Sequence, residues 1–393
     1  MSRPNDLPEW LTASQNSSHV QLALKTLKAR EDTRTRASYA SMPHMTGALR
    51  TLLQNIPKST ADFYAVTAGH DEHNQHRNRY SDVVPYDRTR VVVKENAGCC
   101  AASSDSTDGE YLNADWVLER FGGKWWIASQ APLPNTSHTF LSLISKPISP
   151  PSPSDSGSAL KSRVRTVVQL TQNLEEGRRK AHPYFPDTVG QSMIIRPEAE
   201  DMGPPFKVTL LQQEDIADAR CVRSTVSFTP LSSASSPSTR EADSTPITFR
   251  HLLYHAWPDR GVPEPEDRAG LLAFARLVDE TNRQQLSESE PTTDLDPDPP
   301  IIVGCSAGIG RTGSFIALSS LLRSHGVLQP PGTRVPASTL PPSPLGELPD
   351  ALKDDEVARE VDSLREQRPG MVQRPEQLIV IYEILAAALN SQR

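Results

Sequence analysis

Ile301-Ile302-Val303-Gly304-Cys305-Ser306-Ala307-Gly308-Ile309-Gly310-Arg311-Thr312-Gly313 is an apolar run closed by a cysteine, then a glycine-rich loop, then an arginine where helical spacing sets in. Glycines let successive backbone N–H groups turn inward, and a helix start adds unsatisfied donors and the positive end of its dipole. The segment therefore predicts a cradle for a dianionic oxyanion such as phosphate, built from Ser306, Ala307, Gly308, Ile309 and Gly310 without a metal. The same field favours a thiolate. A free cysteine titrates near ~8.5, and helix N-termini with neighbouring cations lower that to roughly 3.5–7.5, so Cys305 is a candidate nucleophile at neutral pH. The planar fork of Arg311 suits two phosphoryl oxygens at once.

Two other glycine-loop readings fail on their context. Gly308, Gly310 and Gly313 also satisfy the dinucleotide-binding pattern, which requires an acidic residue ending a second strand about twenty residues on. The sequence there, Gln329 to Pro336, is a proline-rich loop. A Walker-type phosphate loop needs a lysine before Thr312, and Arg311 stands there instead. A buried structural cysteine beside a capping turn is the bland reading of the same stretch.

Outward from this segment, the 393-residue chain carries a formal charge of −7, which argues against nucleic acid or an anionic membrane as a partner. Four cysteines, two of them adjacent at Cys99 and Cys100, give neither a disulfide framework nor zinc spacing, so a reducing compartment is expected. No apolar signal core or membrane-length stretch is present, and the expected location is the cytoplasm, with nuclear access open. His70, His73 and His76 form a polar connector rather than a metal site.

The 35 prolines are concentrated in four stretches, at about 148–158, 229–246, 284–300 and 329–349, whose composition predicts disordered inserts. Removing them leaves one domain, expected over 38–390, preceded by an N-terminal extension over 1–37, partly helical or flexible. Four Ser-Pro pairs, Ser149-Pro150, Ser152-Pro153, Ser236-Pro237 and Ser343-Pro344, suit regulation by proline-directed kinases, while composition favours plain spacers. Periodicity predicts helices over 21–29, 46–54, 270–280, 313–323, 350–365 and 376–390, and strands over 163–170, 207–212, 224–228, 247–254 and 301–303. Such mixing around one sheet is α/β.

The run from Cys305 to Thr312, a cysteine, five residues, an arginine and a threonine, resembles the signature of the cysteine-based protein tyrosine phosphatases, in their tyrosine-specific catalytic-domain form. The resemblance covers most of 38–389 and implies a highly twisted mixed β-sheet flanked by helices. It implies hydrolysis of protein phosphotyrosine through a phosphocysteine, with phosphotyrosine-containing proteins as partners and no metal or organic cofactor. Thr312 then stabilises the thiolate as it leaves. A departing phenolate needs a proton, and Trp257-Pro258-Asp259-Arg260-Gly261-Val262-Pro263 resembles the family's mobile acid loop, with Asp259 as the acid and later the base. Asn78 to Asp87 resembles the substrate-recognition loop, in which Tyr80 stacks on the phosphotyrosine ring and Asp82 orients the peptide. By the same resemblance Glu175 pairs with Arg311, Lys180 contacts the acid loop, Gln373 holds the hydrolytic water and Gln377 supports it. The blocks 110–115 and 127–136 are expected to be structural, with Asn113 a buried hydrogen-bonding residue.

One position departs from the pattern. Gly304 stands where the family usually has a histidine that orders the loop; this leaves open a weaker thiolate and lower activity, while catalysis is still expected because the helix start, the amide cradle, Arg311 and Asp259 remain. Two rivals remain open: a weakly active or silent phosphotyrosine-binding module, against which the presence of both Cys305 and Asp259 argues, and a dual-specificity or lipid phosphatase, which has no use for Tyr80.

Overall fold

The computed structural model describes residues 7–42, 53, 55–93, 99–101, 109–151, 163–199, 202–231, 246–259, 261–285 and 296–391. All but residue 53 of the helix expected over 46–54, and most of the first three inserts, lie outside these residues. Twelve strands are described: β1 Arg90–Val93, β2 Cys99–Ala101, β3 Glu110–Leu118, β4 Trp125–Gln130, β5 Thr166–Gln169, β6 Leu174–Glu175, β7 Arg178–Arg179, β8 Ser192–Ile195, β9 Phe206–Ile216, β10 Cys221–Pro230, β11 Ile247–Tyr254 and β12 Ile301–Cys305. Ten of them form one mixed sheet in the order β2-β1-β3-β4-β12-β5-β11-β10-β9-β8, and β6 pairs with β7 alone.

The central strand explains why the site lies where it does. Ile301, Ile302 and Val303 are all buried, the near-continuous apolar run of a strand covered on both faces. Strand β12 runs parallel to β4 on one side and to β5 on the other, and β5 runs parallel to β11. Four strands therefore end at the same edge, and everything that follows their C-termini is delivered there. Those continuations are Ala131 after β4, the cysteine loop after β12, Leu170 after β5 and the Trp257 loop after β11. The outer pairs are antiparallel.

Two layers close the sheet. On one face lie helices Arg268–Arg283, Gly310–Ser324, Glu356–Gln367 and Pro375–Ser391, whose apolar residues share a core with Val303, Val168 and Leu252. On the other, Ser137–Ser145 packs Phe140, Leu141 and Ile144 against Ile127, Val167 and Ile302. No helix of the described residues is long and apolar enough to cross a membrane.

The helix Ser17–Ala40 falls in the stretch expected to be partly helical and runs on past residue 37. Its few apolar contacts, Ala23 and Leu27, are supplemented by buried Arg34, which donates to Asp362 and Glu366. Ionic docking leaves little hydrophobic periodicity to read. Residues 329–349, expected as a disordered insert, are laid onto the domain: Val335 N–H donates to Gly123 O, Arg334 to Phe121 O and Ser343 to Glu366, while Val335 and Leu340 pack on the core. Prolines make such a segment cheap to order in an extended conformation. The adjacent Cys99 and Cys100 lie on the edge strand β2.

Candidate active site

Gly308 adopts φ +74°, and a Cβ there would lie 2.2 Å from the Ser129 carbonyl, so both backbone and space require glycine. The loop's carbonyls are engaged on the outside. Ser306 O accepts from Ala131 N–H, Ala307 O and Gly308 O accept from Arg368, and Ile309 O accepts from Val372 N–H. A planar trans peptide points N–H opposite to C=O, so the N–H groups of Ala307, Gly308, Ile309 and Gly310 face the bowl. Arg368 is itself fully buried, paired with Asp115 at 2.7 Å and Asn113 at 2.8 Å. Asn113 is buried and bonded as expected. Sequence reasoning gave Arg368 no role, although the stretch around it had been singled out for its glutamines. Its only signal is a lone cation between a helix end and a turn, sixty residues from the loop it braces.

Cys305 ends β12 with its side chain buried. Burial opposes ionisation, yet the hydroxyl of Thr312, the charge of Arg311 and the amides of Thr312 and Ile309 together hold the thiol below its ordinary value. Thr312 is fully buried on the first turn of Gly310–Ser324. Arg311 lies in a two-pronged pair with Glu175, at 2.7 and 2.8 Å, and also donates to Leu170 O and Pro258 O. Burial works against its charge as well, and the Glu175 bonds and the neighbouring thiolate outweigh that burial.

Glu175 sits at a hairpin whose two turn residues, Glu176 at φ 48° and Gly177 at φ 74°, are both left-handed, matching the tight turn that twisted strands favour. Lys180, just beyond that hairpin, pairs with Asp259 at 2.7 Å, and Asp259 is also 3.4 Å from Arg311. The loop that carries Asp259 is anchored by Trp257, which is buried against Tyr254 and donates its indole N–H to Gly261 O.

Tyr80 leans over the rim, its hydroxyl 2.9 Å from Ser306 Oγ. Its loop is held by Asn113, which donates to Asn78 and to Val83 O, and by Gln130, which accepts from Arg79 N–H. Asp82 is exposed beside it. Opposite, Val372 adopts φ 55°, a strained conformation for a β-branched residue, and its N–H donates to Ile309 O. That kink presents Gln373 to the opening, while Gln377 is buried and accepts from Arg374 N–H.

The result is a cavity of about 290 Å³. Of the residues given catalytic, substrate-binding or supporting roles from the sequence, all border it except Gly308, Thr312 and Trp257. The histidine connector contributes nothing here: His73 pairs with Asp71 and His76 with Glu198. Among the described residues no group of three or more metal-ligating side chains occurs. Gly304 has a local reason for its identity, since a Cβ there would approach the Ser129 carbonyl to 2.7 Å. In this backbone a histidine at 304 is excluded unless β4 and β12 separate.

One edge of the mixed sheet thus carries a cysteine whose thiol is held below its ordinary value, a glycine-rich bowl of amides, a paired guanidinium and a carboxyl. A protein-tyrosine phosphatase family model matches residues 74–326, and the chain belongs to that family. It is 28% identical to chicken receptor-type tyrosine-protein phosphatase eta over 323 residues, 81% of this chain and 17% of that protein. It is 27% identical over 336 residues to tyrosine-protein phosphatase 2 of Schizosaccharomyces pombe, covering 86% of this chain and 37% of that one. A human relative, phosphatidylinositol phosphatase PTPRQ, is 29% identical over 253 residues, 63% of this chain and 8% of its own. The chain thus spans well under half the length of these relatives. A solved structure, described as "Structural basis of PTPN18 fingerprint on distinct HER2 tyrosine phosphorylation sites", shares the fold with a TM-score of 0.54 at 22% identity, covering 83% of this chain and 87% of its own.

Proposed function

We propose that this chain hydrolyses phosphotyrosine in proteins through a phosphocysteine intermediate. Cys305 Sγ attacks phosphorus, the P–O bond to the tyrosine ring breaks, and Asp259 gives its proton to the departing oxygen. Arg311 and the inward amides hold the equatorial oxygens. A water positioned by Gln373, itself supported by Gln377, then attacks phosphorus. Asp259 takes its proton, the S–P bond breaks, and Thr312 receives the returning thiolate by hydrogen bond. Tyr80 stacks on the substrate ring and Asp82 orients its backbone. The residues act without a metal or organic cofactor, in a reducing compartment that keeps Cys305 free.

One observation carries this reading: the Arg311 fork, locked by Glu175 at 2.7 Å, stands between a depressed thiol and a carboxyl 3.4 Å away. Nucleophile, anion binder and acid are three separate requirements met within one cavity. Because the relative PTPRQ is a phosphatidylinositol phosphatase by name, turnover is compared on phosphotyrosine peptide, phosphothreonine peptide and phosphoinositide. The expected result is strong preference for phosphotyrosine, complete loss of turnover in Cys305→Ser, and retained peptide binding by that variant. Substantial turnover by Cys305→Ser would refute the covalent route, and preference for phosphoinositide would move the substrate class to lipid.

A further inference from the structure

Directly across the parallel ladder from Gly304 lies Gln169, its Cα partner on β5. Where position 304 has no side chain, Gln169 borders a cavity of about 20 Å³ with Ser129, Phe140 and Tyr184. Its carboxamide is used at both ends. Nε2 donates to Thr171 O at 2.7 Å and reaches Asn173 Oδ1 at 3.4 Å, while Oε1 faces His251 Nε2 at 3.1 Å. Since Nε2 is the donor to a carbonyl, Oε1 is an acceptor, and His251 carries its proton on Nε2. Burial pushes that ring down to about 3, so it is neutral, and Phe185 and Tyr184 pack edge-on against it.

The two acceptors are the base of the turn that serves the site. Thr171 Oγ1 donates to Glu175 Oε1, the oxygen that also accepts from Arg311. Asn173 O accepts from Lys180 N–H, and Lys180 pairs with Asp259. A single amide, fixed by a buried histidine, thus reaches both the anion binder and the acid through their partners.

We propose that Gln169, anchored by His251, is a positioning residue: it pins the 171–180 turn so that Glu175 aims Arg311 and Lys180 holds the acid loop. This rests on the phosphatase reading for its consequence in turnover, but its structural content is tested without turnover. Tungstate, an oxyanion of phosphate-like shape, is titrated by calorimetry into wild type, Gln169→Met, Glu175→Gln and the double variant. The Met side chain keeps the length and removes both bonds. Misplacing a binding group by about 1 Å costs up to ~100-fold, so Gln169→Met should weaken tungstate by roughly tenfold or more. Once Glu175 is gone, the same change should add little. Gln169→Glu, which accepts from His251 but cannot donate to Thr171 O, should weaken tungstate similarly and covers the case in which Gln169→Met does not fold. A purely structural residue would lower Tm and leave the tungstate affinity of the folded protein unchanged. That outcome, or full additivity with Glu175→Gln, would overturn the proposal. Wild type that binds tungstate without hydrolysing phosphotyrosine would remove the phosphatase reading alone, whereas wild type that fails to bind tungstate would remove both.

Discussion

Two buried cysteines in one sheet behave oppositely. Cys221 opens β10 among Ala219, Tyr254 and Leu271, and burial pushes its thiol up to about 12. Cys305 closes β12, is buried nearly as well, and its thiol is held below the ordinary value. Burial is common to both and is unfavourable to both charged forms. What differs is the supply of donors: Cys305 has a helix start, two amides, the Thr312 hydroxyl and Arg311, whereas near Cys221 the lowering influence comes from Arg223 with Asp215 opposing it. The strand end that feeds a glycine turn and a helix N-terminus becomes a chemical site, and the other stays a core residue.

The sharpest way to break this contrast is at the guanidinium. Arg311→Lys keeps a cation beside Cys305 but loses the two-pronged fit to Glu175 and to an oxyanion. Loss of a transition-state donor of this kind costs about 10²–10³-fold, and steady-state kcat/KM on phosphotyrosine peptide should fall at least that far. Near-wild-type rates would mean Arg311 contributes only charge.

A smaller effect is expected at the hydroxyl. Thr312→Val removes the hydroxyl that helps hold the Cys305 thiol down, at nearly constant shape, and a hydrogen bond to a charged group is worth about 1.5–3 kcal/mol, or roughly one to two pH units. The acidic limb of kcat/KM should move up accordingly, with kcat lower because the leaving thiolate loses its partner. A limb that stays in place would assign the low pKa to the amides and Arg311 alone.

A third test, on stability rather than turnover, sharpens the Cys221 side of the comparison, using a carboxyl that burial also holds in its neutral form. Glu360 is fully buried, accepts from Ser320 and from the amides of Arg120 and Phe121, and burial raises it from 4.5 to about 8 despite those bonds. Below pH 4.5 it is protonated in both folded and unfolded chains. Between 4.5 and about 8 only the unfolded chain ionises, so the stability it contributes is lost as pH rises through that window. Glu360→Gln should flatten Tm against pH there, as read by thermal unfolding at several pH values. An unchanged slope would mean Glu360 is already ionised in the folded protein.

How much of this was legible in the sequence follows from how local each feature is. Cys305 to Thr312 spans one strand end, one loop and one helix turn, and its geometry is dictated by residues adjacent in the chain. Glu175, Lys180, Gln373 and Gln377 were reached through family resemblance only, since a charged turn and two amides carry no chemistry by themselves. Arg368 and Gln169 were not assigned roles: each acts through partners set by the sheet, Arg368 through two carbonyls sixty residues away and Gln169 through β5/β12 register. The ordered 329–349 segment was misread because its composition resembles a spacer, while its few anchors, Val335, Leu340 and Ser343, are spread over nine residues. Gly304 was legible as an oddity, but its cause, the Ser129 carbonyl of the neighbouring strand, is tertiary.

The central claim is that the cradle, and not exposure, makes Cys305 the reactive thiol. Iodoacetate labelling across pH, with each cysteine followed by mass spectrometry in the folded protein, tests it directly. The account predicts that Cys305 is alkylated along a titration well below the free-thiol value of ~8.5, in step with loss of activity, while Cys221 stays unlabelled until the chain unfolds. A Cys305 titration at or above ~8.5, or equal labelling of the two cysteines, would contradict it.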